Sequence, residues 1–305
     1  METISHFSIT GKLGEETETY LAWDGQRDAK VVLRFVDPAL AEQPEYIKCF
    51  DTITKRLMGL NDRHISEFFS LEHADGRFFA VREYVLGQSI HELSRANPFD
   101  YQAFLNIGLQ VSQGLKEAHE VGIVHGRLNG RNIIVTPHGK VHIVDFAVHG
   151  CCVQKELKSI RAGFLPYLSP EQIETGACDE LSDLYSAGVV FYEMLTGRLP
   201  FEGEDPEQLL AAIKAGPPPP GEPVTESHGD AILLLEKLLA AEPGDRLVSA
   251  RELLETLKAM IAHELKRHGP TPQPKSHASP RTYLMLSILT ALIVIFWLVV
   301  TTFHR

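Results

Sequence analysis

The stretch YLMLSILTALIVIFWLVVTTF, residues 283–303, runs for 21 residues without a charged side chain. A helix over it is roughly 31 Å long at about 1.5 Å per residue, close to the hydrocarbon thickness of a bilayer. A core helix of this length normally carries a polar face. Here the polar groups are only Ser287, Thr290, Thr301, Thr302 and the Tyr and Trp rings. The pattern therefore predicts a single C-terminal transmembrane helix over 283–303, with the lipid bilayer as its partner. Lys266, Arg267, Lys275 and Arg281 precede the run, and only Arg305 follows it among the basic residues. The positive-inside rule then gives a single-pass protein of the cytoplasmic membrane, its N-terminal domain in the cytoplasm and its C-terminus outside.

Residues 269–280, GPTPQPKSHASP, hold four prolines and no large apolar residue, and read as an extended linker. The formal charge is −11, and every acidic residue lies at or before Glu264. Setting aside the five basic residues of the tail leaves −16 on the first 265 residues. So acidic a domain is a poor match for a phosphate backbone, which excludes nucleic acid as the expected partner. The four cysteines, Cys49, Cys151, Cys152 and Cys178, show no CxxC spacing, and neither zinc nor a disulfide framework is expected. Cys151 and Cys152, being adjacent, form a candidate redox pair whose role the sequence does not fix. The start METISHFSIT lacks a basic then apolar run, so no signal peptide is expected.

Up to about residue 85 the apolar runs are short and β-like, KVVLRFV (30–36) and RFFAVREYV (77–85), with one helical stretch, EYIKCFDTITKRLMGL, between them. Beyond Gly87 helical spacing dominates over 101–119, 183–195, 206–215, 230–241 and 249–266, interrupted by the short strands IIV and VHIV. An α+β chain results, with a small β-rich lobe followed by a larger helical lobe.

Several ordered motifs then carry a resemblance. They are SDLYSAGVVFYEMLTGRLPF (182–201), PYLSPEQ (166–172), GDRL (244–247) and HGRLNGRN (125–132). Together they resemble eukaryotic-type serine/threonine protein kinase domains, the bacterial members above all, over residues 8–262. The resemblance implies a two-lobed protein-kinase-like fold, with an N-lobe over about 8–85 and a C-lobe over about 86–262. It implies an ion pair between Glu171 and Arg246. It also implies a regulatory spine of Leu57, Phe68, His125 and Phe146 above Asp183.

Phosphoryl transfer in this family needs specific parts, and the sequence departs from most of them. The loop that should read GxGxxGxV is ITGKLGEETETYLAWD. Glu15, Glu16 and Glu18 stand where glycine backbone should approach phosphate. VAIK aligns with Val31, Val32, Leu33 and Arg34, so Val32 crowds the base side and Arg34 replaces the strand lysine. The helix glutamate falls at Ile53. HRDLKPxN places Arg127, which cannot act as a base, at the catalytic aspartate. Gly126 and Asn129 replace its Arg and Lys. DFG keeps Asp145 and Phe146 but ends in Ala147, and the GT before PxY is Gly163-Phe164. Arg82 lies at the back of the nucleotide pocket, where it either fills the pocket or pairs with Asp145. Asn132 and Asp145 remain as a possible magnesium pair, or else bond to neighbouring groups.

The expectation is a membrane-anchored pseudokinase, a non-catalytic signalling or scaffolding module with protein partners at the membrane. In it no catalytic set is intact, no cofactor is firmly implied, and ATP with Mg is disfavoured. The alternatives are a divergent active serine/threonine kinase and a nucleotide sensor without transfer activity.

Overall fold

Period-two burial builds the first part of the chain and one-sided helices build the rest. The computed structural model describes residues 3–14, 18–146, 162–203, 205–221 and 229–268. The strands β1 (Thr3–Ile4), β2 (Phe7–Lys12), β3 (Thr19–Asp24), β4 (Ala29–Phe35), β5 (Phe68–Ala74) and β6 (Arg77–Glu83) form one antiparallel sheet. Its order is β1-β2-β3-β4-β6-β5. Asp75 and Gly76, at φ 51° and 74°, supply the two positive φ values that a tight β5–β6 turn requires.

Alternation along β4 sorts its side chains. Val31, Leu33 and Phe35 join Phe7, Ala22, Phe79 and Val81 in a small apolar cluster. Val32 and Arg34 take the opposite face, Val32 paired across the strands with Arg82 and Arg34 with Ala80. One face of the sheet thus carries two arginines.

After the short α1 (Pro38–Ala41), α2 (Pro44–Met58) buries Tyr46, Phe50, Ile53 and Leu57. These positions are spaced three and four apart, so they form one stripe. That stripe belongs to the large core shared with the helical lobe, as does Phe68. The helical lobe comprises α3 (Ile90–Ala96), α4 (Tyr101–Glu120), α5 (Pro170–Thr175), α6 (Glu180–Thr196), α7 (Pro206–Lys214), α8 (Gly229–Leu238) and α9 (Ala250–His268). A second sheet orders β7 (Gln88–Ser89), β8 (Ile133–Val135) and β9 (Val141–Ile143) consecutively. Every residue of α6 from Ser182 to Leu195 is buried. A helix apolar on all sides must lie inside a core, and Gly188 lets α8 approach. A Cβ there would stand 2.7 Å from Leu238 Cβ.

The two-lobed fold expected from the sequence is the one observed. The predicted start at 183 falls three residues inside α6, because Asp179 and Ser182 form a capping box that opens the helix earlier. The short α3 and α5, each begun by a serine capping box, were not predicted. One expectation is corrected: Cys49, on α2, is disulfide-bonded, while Cys178 is a free thiol. Separation along the chain is a poor guide to which sulfurs meet in space. Cys151, Cys152 and Ala147 lie outside the described residues, as do the 269–280 linker and the 283–303 run.

The chain divides into two compact units, Met1–Ile261 and Ala262–Arg305. Of the second, the described part is helical over 262–268. Among the described residues no helix is long and apolar enough to cross a membrane.

Candidate functional site

The loop from His125 to Asn132 is held from below by one carboxylate. Asp183, at the N-terminal end of α6 and fully buried, accepts the backbone N–H of His125 at 2.8 Å and of Gly126 at 2.9 Å. It also bonds His119 Nε2 at 2.9 Å. The Gly126 carbonyl accepts from Gln172 Nε2 at 2.7 Å. Burial holds the His125 imidazole pKa below its ordinary value, against the attraction of Asp183, so the ring is neutral. Its Nε2 bonds the Val144 carbonyl at 3.0 Å, and its centroid lies 4.7 Å from that of Phe146. Leu57, Phe68 and Phe146 line one small cavity beside this ring pair. The spine residues named from the sequence are therefore brought together, with Asp183 beneath.

A second support lies at the end of the activation segment. Arg246 donates to both oxygens of Glu171, each at 2.8 Å, and its remaining N–H groups reach the carbonyls of Ala240, Leu181 and Ala241. The guanidinium is completely buried. Burial pushes the Glu171 pKa up, but Arg246 outweighs it and holds the carboxyl below its ordinary value. The expected pair is present, with its donors and acceptors satisfied.

The upper wall is different in kind. Arg82 Nε donates to Asp145 Oδ1 at 2.6 Å, both side chains 11 % exposed. Of the two readings open for Arg82, the pairing is what the geometry gives. Asp145 adopts φ 64°, a left-handed conformation that Asp tolerates better than most residues. Burial raises its pKa, but the charges of Arg82 and Arg34 prevail, so it stays ionised below the usual carboxylate range.

Arg34 donates from Nη1 to Thr19 Oγ1 at 2.7 Å, and its Nε is buried with no hydrogen-bond partner. Burial lowers the Arg34 pKa from its ordinary value. Asp145 opposes that shift, and the charges of Arg82 and Arg127 add to it. Ile53, where the family has the glutamate that receives the strand cation, is an apolar core residue. Arg34 has therefore turned to Thr19, a partner with no sequence signal beyond its place opposite Arg34 in the β3–β4 register.

Arg127, half-buried at the catalytic aspartate position, has a backbone carbonyl that accepts from Asn129 Nδ2 at 2.8 Å and from Asn132 Nδ2 at 3.2 Å. Both asparagines thus brace the loop. Asn132 keeps its backbone-bracing role while Asp145 is engaged by a guanidinium. Among the described residues no group of three His, Cys, Asp or Glu side chains could hold a metal. With Asp145 occupied and arginines around it, Mg²⁺ does not fit this pair, and no step is routed through it.

A cavity of about 290 Å³ remains at this wall. Arg82, Arg131, Asn132 and Asp145 line its polar side, and Leu13, Val32, Val85, Ile134 and Val144 its apolar side. Phe164 also reaches it, from the turn Ala162–Tyr167 that carries the altered GT pair. Of the acidic loop, Glu15 and Glu16 lie outside the described residues, and Glu18 pairs with Arg77. The carboxylate cluster of Glu193, which takes His91 Nδ1 at 2.6 Å and the Tyr167 hydroxyl at 2.7 Å, had no motif to announce it.

The family described as "Protein kinase domain" matches residues 10–257. The serine/threonine-protein kinase PrkC of Bacillus subtilis is 31 % identical over 194 residues, 63 % of this chain and 30 % of PrkC. The serine/threonine-protein kinase pkn3 of Myxococcus xanthus is 30 % identical over 271 residues, 83 % of this chain and 49 % of pkn3. The chain thus spans less than half the length of either relative. The solved Mycobacterium tuberculosis PknI kinase domain superposes with a TM-score of 0.67 at 20 % identity, over 85 % of this chain and 98 % of that one, a likeness of fold. On this match the chain belongs to the protein kinase domain family, among its eukaryotic-like bacterial serine/threonine kinases.

Proposed function

We propose that this domain is a pseudokinase, a signalling module that keeps the kinase surface without transferring phosphate. The observation that carries the reading is the pairing of Asp145 with Arg82, facing a loop whose base position is Arg127. The reaction needs a carboxylate to orient the hydroxyl and a second to hold the metal that neutralises phosphate charge. Here one is replaced by a permanent cation and the other is bound by one. Losing a single such part removes several powers of ten in rate, and these losses coincide. The run 283–303 is proposed to tether the module to the cytoplasmic membrane. The linker then raises its effective concentration for protein partners at the bilayer.

A divergent active serine/threonine kinase is the second reading. What favours it is that the relatives at 30–31 % identity are themselves described as serine/threonine-protein kinases. Autophosphorylation and transfer to a general protein substrate, measured on the full-length chain with Mg-ATP, separate the two. No incorporation above a heat-inactivated control is expected. Incorporation that Asp145→Asn abolishes would establish the active kinase instead.

A further inference from the structure

The cleft has the reverse charge of a site built for a metal–phosphate complex. Four guanidiniums, Arg34, Arg82, Arg127 and Arg131, surround two carboxylates, Asp145 and Glu92. Glu92 is already engaged, its Oε2 accepting from the Ser89 N–H and hydroxyl at 2.8 Å each. This concentration of cations stands in a domain whose first 265 residues carry −16 overall. Like charges so close repel one another unless an anion joins them. Arg34 displays the shortage directly: Ile53 offers it no carboxylate, and its buried Nε has no partner. A guanidinium is well shaped for phosphate oxygens, which it can grip with paired N–H groups.

We propose that the cleft binds a phosphate-bearing small molecule of nucleotide size without a divalent metal, the arginines neutralising the phosphates that magnesium neutralises in a kinase. The volume of about 290 Å³ lies at the small end of ordinary ligand sites, and the apolar wall of Val32, Val85 and Ile134 suits a flat ring beside a charged group. Asp145 is then a competitor for Arg82. Ligand phosphate displaces it, and whatever weakens the Arg82–Asp145 pair strengthens binding. The inference rests on the non-transferring reading of the cleft and extends it to a ligand.

The test is calorimetric titration of the full-length chain in EDTA with ADP and, separately, with pyrophosphate. Binding by ADP that excess Mg²⁺ weakens is expected, because the ion screens the phosphates the arginines would hold. Pyrophosphate alone binding as well assigns the site to free phosphoanions, and ADP alone to nucleotides; either supports the anion site. Asp145→Asn should strengthen binding about tenfold, and Arg127→Glu should weaken it about tenfold or more. Arg127→Gln, which should weaken binding less, replaces Arg127→Glu if that variant does not fold by circular dichroism. No binding of either probe at millimolar concentration overturns the anion site and leaves the pseudokinase reading standing. Binding that requires Mg²⁺ and is lost in Asp145→Asn overturns both. Affinity unchanged in all these variants places the ligand elsewhere and also overturns the proposal.

Discussion

Two clusters of buried charge lie on either side of the His125–Asn132 loop, and they are balanced differently. Below it, Asp183 and the Glu171–Arg246 pair have every charged group met by donors or acceptors of the opposite kind. Above it, Arg34, Arg82 and Arg127 gather about Asp145, and one buried guanidinium nitrogen is left without a partner. Both belong to one fold, so the contrast separates what that fold needs from what its chemistry needed. The lower cluster fixes the loop and the end of the activation segment, and any chain with this topology must satisfy it. The upper cluster's original pattern served phosphoryl transfer. Once that demand lapses, only burial limits which residues may stand there.

The strongest way to break the comparison is Arg246→Ala. It strands the Glu171 carboxylate and three backbone carbonyls in a buried site, and removing one partner of a buried pair typically costs about 3–5 kcal/mol. Urea unfolding of the full-length protein should show that loss in the midpoint at unchanged slope. A change under about 1 kcal/mol would mean that the lower cluster is as dispensable as the upper one.

Arg82→Leu comes next, with an expected loss of about 1–2 kcal/mol, because Asp145 keeps Arg34 nearby while Arg34 sheds a like charge. Its signature is in pH. The folded Asp145 has a pKa below its ordinary 3.8, so its contribution is full above that value and is lost as pH falls through the depressed folded value. With Arg82 gone, burial counts for more and the folded pKa rises. The stability gap between wild type and variant should be widest near neutrality and close as acid protonates Asp145 in both. A gap that stays constant from about pH 7 to pH 3 would show that the pair contributes no electrostatic stability.

The same contrast explains how much could be read from the sequence. Spacing exposed what packing dictates: the α2 stripe of Tyr46, Phe50, Ile53 and Leu57, the wholly apolar α6, and the alternation of β4 that sets Val32 and Arg34 on one face. The lower cluster was legible because its residues stand where the family has them, and its partners are backbone groups that every chain supplies. The upper cluster was legible only as a set of departures. That Arg127, Arg34 and Arg82 had replaced other residues was plain, but Arg82 reaching Asp145 across 63 positions and Arg34 turning to Thr19 across 15 are results of folding. Side-chain direction in an altered site follows from what happens to lie within reach. Sequence periodicity carries none of that. The disulfide of Cys49 escaped for the same reason.

The smallest expected effect is the one that sharpens the comparison most. Arg34→Met keeps the length of the side chain and removes its charge. What is lost is one hydrogen bond to Thr19 Oγ1 and the attraction to Asp145. What is relieved is the desolvation of a buried guanidinium, an unpartnered Nε, and repulsion from Arg82 and Arg127. Replacing a buried charge by an apolar chain of similar shape is often close to neutral, so the stability should stay within about 1 kcal/mol of wild type. The thermal midpoint of the same full-length protein reads this directly. A loss matching that of Arg246→Ala would show that the strand cation is a structural bridge despite its missing glutamate, and the division between the two clusters would disappear. A stability equal to wild type or above it would mean that the fold does not need Arg34, and that its place in the cleft has to be explained by what the cleft binds.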